Sequence, residues 1–246
     1  MTKTIILIPS RIAATRLPNK PLLKINNISI INHVYQKAIS TGIGDVYVAT
    51  GDKEILKEVR ENKGKCIFTE RNHLTGTDRI YEAYQKLNLS EIDYIINLQG
   101  DEPMIETKDI QNLNEKAINN NSDIATLASK IRDKKIFNNN SIVKVATESE
   151  LSENKILKAK YFSRNILDNN DYNIYHHIGI YIYKASILEK FINLKQSKNE
   201  ISHKLEQLRA MDNNISIDVI LANSSPIGVD TYEDYMEIKK LMEYKN

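Results

Sequence analysis

Short apolar runs along the chain alternate with longer segments in which apolar residues recur every three or four positions. The predicted strands of the first half lie at 5–8, 45–50, 66–68 and 93–98, and the predicted helices lie at 28–41, 52–59, 77–87 and 107–118. The first run has no alternation, which is typical of a central strand buried on both faces of a parallel sheet. Strands separated by helices predict an α/β fold with a mostly parallel sheet and right-handed crossovers.

The second half of the chain changes this pattern, because strands follow one another without long helices between them. The predicted strands lie at 124–129, 142–147, 175–183 and 215–222, the predicted helices at 185–194, 203–211 and after Thr231, and the predicted loops at 132–140 and 168–173. No Pro/Gly/Ser-rich linker and no repeat divides the chain. We therefore expect a single domain over 1–246 with an antiparallel, β-rich insertion.

Several predicted helices begin at a residue that can cap the first turn. The predicted N-caps are Asp52, Thr77, Thr107 and Thr231, the last as part of a capping box. Arg79 would then lie in a first turn, where a cation opposes the helix dipole. We therefore expect a carboxylate or phosphate partner for Arg79.

Composition and charge narrow the class of protein. The chain has 246 residues, 41% of them apolar and 27% charged, which is ordinary for a globular protein with a sizeable core. A net charge of +2 is too small to indicate a nucleic-acid or membrane-surface partner. The single Cys66 excludes an internal disulfide and is predicted to be a buried structural thiol. Because no signal-peptide pattern and no run of ~20 apolar residues is present, we expect a cytoplasmic protein.

The segment after the first strand is rich in cations. Pro9 ends the pairing of that strand, and Arg11, Arg16 and Lys20 follow it. Open α/β sheets bind ligands beyond the carboxyl ends of their strands, so these three side chains predict an anion site. The segment matches neither a P-loop nor a dinucleotide fingerprint, and a solvated basic loop is the alternative.

Two aspartates lie in sharp loops that contain a glycine. Asp101 follows the strand at 93–98, which places it at the same edge of the sheet as the cations, and Asp230 lies near the C-terminus. Mg²⁺ prefers carboxylate ligands and completes its shell with phosphate oxygens, so cations with a carboxylate-held Mg²⁺ would form a nucleoside triphosphate site. The pattern does not establish that the two aspartates meet, and turn-forming aspartates are the alternative.

The histidines do not predict a zinc site. His176 and His177 are neighbours on a strand and point to opposite faces, so they cannot chelate one metal together. The remaining histidines, at His33, His73 and His203, lack partners at metal-ligand spacing. No G-x-S-x-G element is present, and the lone cysteine has no catalytic signature, which argues against an acyl-enzyme mechanism.

Eight short motifs are distributed from the first loop to residue 235. They are IPSRIAATRLPNKPL at 8–22, TGTDR at 75–79, NLQGDEP at 97–103, SIVKV at 141–145, YFSR at 161–164, HIGIYIY at 177–183, LEQLR at 205–209 and GVDTYEDY at 228–235. In this order they resemble the 3-deoxy-manno-octulosonate cytidylyltransferases, also called CMP-Kdo synthetases. Because the motifs cover nearly the whole chain, the resemblance is specific.

The resemblance implies a Rossmann-like, GT-A-type nucleotidyltransferase that is usually a homodimer, with a candidate dimerisation and sugar-binding lobe at 130–212. It implies transfer of a cytidylyl group from CTP to the 2-hydroxyl of 3-deoxy-D-manno-octulosonate (Kdo), giving CMP-Kdo and pyrophosphate for lipopolysaccharide biosynthesis. Mg²⁺ is the implied cofactor.

The resemblance also assigns roles to residues of this sequence. The implied nucleotide contacts are Arg11, Arg16, Lys20 and Thr77, the implied Mg²⁺ ligands are Asp101 and Asp230, and the implied sugar-acid contacts are Arg79, Gln99, Arg164, His177, Glu206 and Gln207. Lys20, Asp101 and Asp230 are the implied catalytic residues.

Three places depart from the family pattern, one of which is the run of three asparagines at 138–140, where a proline is often central. Asn19 stands where glycine is common, and asparagine tolerates a left-handed backbone. Gly51 stands where an aspartate is common, so Asp52 is expected either to substitute for it or only to cap its helix.

Two alternative functions stay open. The first is CTP-dependent activation of another sugar acid, such as a sialic acid, against which the HIGIYIY and LEQLR motifs argue. The second is a non-catalytic nucleotide-binding protein on the same fold, against which the two retained aspartates argue.

Overall fold

The structure is a computed structural model that describes residues 2–13, 16–89, 91–133, 137, 139–165 and 172–244. The predicted loops at 132–140 and 168–173 fall partly outside these residues. The strands are β1 Thr4–Ser10, β2 Lys24–Ile25, β3 Ile28–Ser29, β4 Val46–Thr50, β5 Cys66–Phe68, β6 Tyr94–Asn97, β7 Ile124–Lys130, β8 Lys144–Thr147, β9 Leu157–Ser163, β10 Asn173–Lys184 and β11 Ile217–Leu221. The helices are α1 Ile30–Ser40, α2 Lys53–Glu61, α3 Gly76–Leu87, α4 Thr107–Asn119, α5 Ala185–Ile192, α6 Lys198–His203, α7 Leu208–Asp212 and α8 Tyr232–Glu243, and a 3₁₀ turn spans Lys20–Leu22.

The main sheet has the strand order β5-β4-β1-β6-β10-β7-β11-β9-β8. Strands β5, β4, β1 and β6 are parallel to one another, as the alternation of strands and helices predicted. Strand β10 is antiparallel to β6, to β7 and to β8. The expectation of a mostly parallel sheet is therefore wrong for the sheet as a whole, which is mixed.

The strands of the C-terminal half, from β7 to β11, pair with one another in a closed ring. Strand β10 pairs with β7 along most of its length, and its first residues also pair with β8. Because β7 pairs with β11, β11 with β9 and β9 with β8, these strands form a closed circuit of hydrogen-bonded neighbours. This circuit contains most of the predicted antiparallel insertion, and it is continuous with the N-terminal sheet through β6 and β10.

Strand β1 lies in the centre of the core. All seven of its residues are buried. Ile6 and Ile8 pack on one face of the sheet against residues of α1, α2 and α4, whereas Ile5 and Leu7 pack on the other face against residues of α3 and α5. The prediction of a central strand covered on both faces is confirmed.

One predicted helix is wrong. The segment 203–211 forms the end of α6 and most of α7 rather than a single helix. Lys204 stands between them with a φ of 53°, a left-handed conformation that ends α6. Ser197 begins α6 with a capping box, which the prediction overlooked.

The helix caps differ from the prediction at two places. The N-cap of α3 is Thr75, which forms a capping box with Asp78, so Thr77 lies inside the helix and does not cap it. Thr107 is likewise the first residue within α4 rather than its cap. The predicted capping box at Thr231 is confirmed at the start of α8.

Candidate active site

The carboxyl ends of β1 and β6 border a cleft with a volume of about 390 Å³. Its walls come from the loop after β1, the loop before α3, the loop after β6 and the loop before α8. The lining residues are Pro9, Ser10, Arg11, Ala13, Arg16, Lys20, Pro21, His73, Leu74, Thr75, Gly76, Arg79, Gln99, Gly100, Asp101 and Asp230. The cleft therefore lies where parallel α/β sheets bind their ligands.

Lys20 connects the two aspartates that the sequence singled out. Asn19, directly before it, has a φ of 56°, the left-handed conformation for which its side chain is suited. Lys20 Nζ lies 2.6 Å from Asp101 Oδ2 and 3.4 Å from Asp230 Oδ1, and Arg16 Nη2 lies 3.1 Å from Asp230 Oδ2. Cations and carboxylates from distant parts of the chain therefore share one site.

Glu102 lies behind these carboxylates. One carboxylate oxygen accepts a hydrogen bond from the Gly179 N–H, and Oε2 has no partner in the described part of the chain. Burial raises the pKa of Glu102 to about 8, and the negative charges of Asp101 and Asp230 add to the shift. No role was predicted for this residue, and its only signal was its place directly after Asp101.

Asp52 links two walls of the cleft instead of capping α2. Its Oδ2 accepts a hydrogen bond from the Ile12 N–H at 2.8 Å, and its Oδ1 lies 3.4 Å from Arg71 Nε. Asp52 does occupy the predicted N-cap position of α2, but its side chain makes no capping bond to that helix. A Cβ at Gly51 would lie 2.6 Å from Arg71 Cα, which explains why a glycine stands here.

Arg79 lines the cleft, but its guanidinium is used within the protein. Nη1 donates to Thr69 Oγ1 at 2.6 Å and to the Glu70 carbonyl at 2.9 Å, and Nη2 donates to the Arg71 carbonyl at 3.0 Å. These partners within the protein are a hydroxyl and two carbonyl groups, and the expected carboxylate or phosphate partner stays a prediction. Arg79 fixes the segment that carries Arg71, and burial lowers the pKa of its guanidinium.

Thr77 and Glu206 lie behind the wall formed by the start of α3. Thr77 is buried, and its hydroxyl donates to Glu206 Oε2 at 2.9 Å and accepts from Asn97 Nδ2 at 3.3 Å. Thr77 therefore does not line the cleft, and the nucleotide contact expected of it stays a prediction. Glu206 Oε1 is buried without a hydrogen-bond partner among the described residues, although Arg209 Nη2 lies 3.9 Å away. Burial raises the pKa of Glu206 to about 7.

Three other implied sugar-acid contacts are not among the lining residues of the cleft. His177 is buried, with Nε2 lying 3.0 Å from Thr126 Oγ1, and burial lowers its pKa to about 3. Arg164 donates from Nη1 to the Ser141 carbonyl at 2.7 Å. Gln207 stands half-buried before α7.

The cleft thus gathers only part of the predicted site. The predicted residues that line it are Arg11, Arg16, Lys20, Arg79, Gln99, Asp101 and Asp230. The predicted residues that do not are Thr77, Arg164, His177, Glu206 and Gln207. The lining also includes His73 and Leu74, for which no role was predicted.

Comparison with known proteins identifies the family. A family model described as cytidylyltransferase matches residues 5–217. A 3-deoxy-manno-octulosonate cytidylyltransferase of Bartonella tribocorum is 41% identical over 239 residues, which cover 97% of this chain and 98% of the relative. The chain belongs to the 3-deoxy-manno-octulosonate cytidylyltransferase family. The resemblance carried by the eight motifs is thereby confirmed.

Further relatives and solved structures agree with this membership of the cytidylyltransferase family. A 3-deoxy-manno-octulosonate cytidylyltransferase of Rickettsia canadensis is 41% identical, covering 97% of this chain and 95% of its own length. The structure of CMP:2-keto-3-deoxy-manno-octonic acid synthetase complexed with CTP matches with a TM-score of 0.87 and 35% identity over 100% of both chains. UDP-glucose pyrophosphorylase complexed with UDP-glucose shares the fold, with a TM-score of 0.73 and 14% identity over 100% of both chains.

Within the described residues, no helix of this cytidylyltransferase has both the length and the apolar character that crossing a bilayer requires.

Proposed function

We propose that this cytidylyltransferase transfers a cytidylyl group from CTP to the 2-hydroxyl of Kdo, releasing pyrophosphate and supplying CMP-Kdo for lipopolysaccharide biosynthesis. The observation that carries the proposal is the contact of one cation, Lys20, with both Asp101 and Asp230 in a cleft that Arg11 and Arg16 also line. The named relatives support the choice of both substrates.

The cations of the cleft suit a polyanionic substrate. In the proposed reaction the Kdo hydroxyl oxygen bonds to the α-phosphorus, the bond to pyrophosphate breaks, and the hydroxyl proton is released. Arg11, Arg16 and Lys20 offset the charge of the triphosphate, and positioning of the reactants supplies much of the rate in phosphoryl-transfer chemistry. Lys20 is held in place by two carboxylates, which fixes its ammonium at the centre of the cleft.

The two aspartates fit Mg²⁺, which the proposal includes as the cofactor. Asp101 and Asp230 direct oxygens to one ammonium, so their carboxylates converge on a cation-sized position. Within the described residues no group of three or more acidic, His or Cys side chains could hold a metal ion, and Mg²⁺ commonly takes one or two carboxylates with the rest of its shell from phosphates and water. When bound, Mg²⁺ supplies positive charge at the phosphates and favours deprotonation of the attacking hydroxyl.

The sugar-acid side of the proposal rests on Gln99 and Glu206. Gln99 lines the cleft beside Asp101. Glu206 lies behind the adjoining wall, with a carboxylate oxygen that makes no hydrogen bond among the described residues. The proposal also includes a homodimer, on the resemblance alone, and a cytoplasmic location, which the single cysteine favours.

Substrate choice is tested by incubating the purified protein with CTP, Mg²⁺ and either Kdo or N-acetylneuraminate, and measuring pyrophosphate. We expect kcat/KM to be at least about 10²-fold higher with Kdo, because a polar site rejects a substrate that leaves its groups unpaired. Chelation of Mg²⁺ is the control and should stop both reactions. Turnover with N-acetylneuraminate alone would overturn the Kdo assignment.

The hydrogen bond of Asp52 with Ile12 and its ion pair with Arg71 give a separate prediction. Asp52→Asn should raise the KM for CTP about tenfold and change kcat little, because one charge-assisted bond between the walls of the cleft is lost. Steady-state kinetics with varied CTP measure this effect. Glu54→Gln, which alters an exposed acid of the same helix, is the matched control. An unchanged KM for CTP would contradict the role given to Asp52.

A further inference from the structure

The loop before α3 gives the cleft a wall of a different chemistry. His73 and Leu74 both line the cleft, and Leu74 is 80% exposed. The loops after β1 and β6 instead contribute charged groups, including Lys20 and Asp101. A nucleobase is uncharged, has apolar faces and has a polar rim, so the wall with His73 and Leu74 suits the base, whereas the charged walls suit the phosphates.

The imidazole of His73 is oriented by a fixed partner. Its Nε2 makes a short hydrogen bond to Glu82 Oε2, and the ring makes no other hydrogen bond within the described residues. Glu82 is itself held by the Glu70 N–H and by Lys86 Nζ, which lies 2.6 Å from Oε1.

The partners of Glu82 determine the tautomer of this ring. Burial alone would raise the pKa of Glu82, but hydrogen bonds from Lys86 and His73 hold it below its ordinary value, so the carboxylate is ionised. Because this carboxylate can only accept a hydrogen bond, the proton of the contact lies on His73, and we assign His73 the tautomer that donates from Nε2. Its Nδ1 then carries a lone pair that is available to a ligand.

We propose that His73 selects cytosine by accepting a hydrogen bond from its exocyclic amine at Nδ1, while Leu74 packs against a face of the base. Uracil presents a carbonyl oxygen at the same position, which would set two acceptors against each other. The inference rests on the nucleotide site proposed above and adds the group that distinguishes CTP from UTP.

The test removes the two partners of the proposed hydrogen bond, the exocyclic amine of the base and the imidazole of His73, separately and together. Binding of CTP, UTP and the triphosphate of pyrimidin-2-one riboside, which has hydrogen in place of the amine, is measured by calorimetry for the wild type and for His73→Phe. We expect the wild type to bind CTP about tenfold more tightly than the analogue, the effect of one hydrogen bond. In His73→Phe the two ligands should bind equally, and the preference for CTP over UTP should fall about tenfold. His203→Phe, at an exposed histidine in α6, should behave as the wild type.

Each outcome has a distinct meaning. Equal binding of CTP and the analogue by the wild type would overturn the inference without any variant. An equal loss of affinity for all three ligands in His73→Phe would show that the ring only supports the loop, which would also overturn it. If Arg16→Ala leaves CTP binding unchanged, the nucleotide site itself is misplaced, and the proposed function fails rather than the role of His73.

Discussion

Replacing Asp101 or Asp230 with asparagine should lower CMP-Kdo formation by about 10³-fold, the scale of loss when one preorganised electrostatic group is removed from a reacting centre. Each variant leaves Lys20 with a single carboxylate partner and leaves the proposed Mg²⁺ site with a single carboxylate ligand. Asparagine has nearly the same shape, and the two aspartate side chains are 33% and 51% exposed, so the fold should be preserved.

The measurement is pyrophosphate release at saturating CTP and Kdo over a range of Mg²⁺ concentrations, with thermal unfolding recorded for each variant. The control is Asp45→Asn, because Asp45 is an exposed aspartate whose carboxylate pairs with Lys65 2.7 Å away and does not line the cleft. That variant should keep its activity. Near-normal turnover of both active-site variants at high Mg²⁺ would refute the assignment of these residues as metal ligands.

The second large effect is on stability and concerns Arg209 of the LEQLR motif. Arg209 makes a bidentate ion pair with Glu200 in which both side chains are only 4% exposed, and its guanidinium lies 4.6 Å from the centre of the Phe191 ring. Arg209→Met should lower the free energy of unfolding by about 3–5 kcal/mol, because it leaves the Glu200 carboxylate buried without its cation. Chemical denaturation at neutral pH measures the change.

A second substitution separates the lost ion pair from lost packing. In Arg209→Met/Glu200→Leu both charges are absent, and most of the lost stability should return, since apolar replacements of a buried ion pair are often neutral. Arg60→Met, at an exposed position in α2, should change stability by less than about 0.5 kcal/mol. A double variant as unstable as Arg209→Met alone would mean that packing, not the unpaired charge, sets the cost.

The N-terminal half of the fold was predictable because its signals are local. The aliphatic run within β1 has no polar position, so a strand covered on both faces was the only arrangement that buries it. The closing circuit of strands was not predictable, because β10 pairs on different sides along its length and only tertiary packing decides its neighbours.

The candidate site likewise has one part that was predictable from the sequence and another that was not. The cationic loop was found from its place after β1, whereas the meeting of Asp101 and Asp230 depends on long-range packing that no spacing encodes. Thr77 was misread although a signal existed: Thr75 has Asp78 three residues later, which is the capping-box pattern. Asp52 stands where an N-cap is expected, and its bond to Ile12 could be found only from the structure.

The closed circuit of strands also limits how copies of the chain can associate. In the nine-stranded sheet β8 would be a terminal strand, but it also pairs with β10, so among the described strands β5 is the terminal strand with a single neighbour. Strand β5 has three residues, Cys66–Phe68, which offers little main chain for intermolecular β-pairing or for aggregation by that route. A dimer formed through β8 must therefore be held by side chains and loops rather than by a sheet that continues from that strand into the next copy.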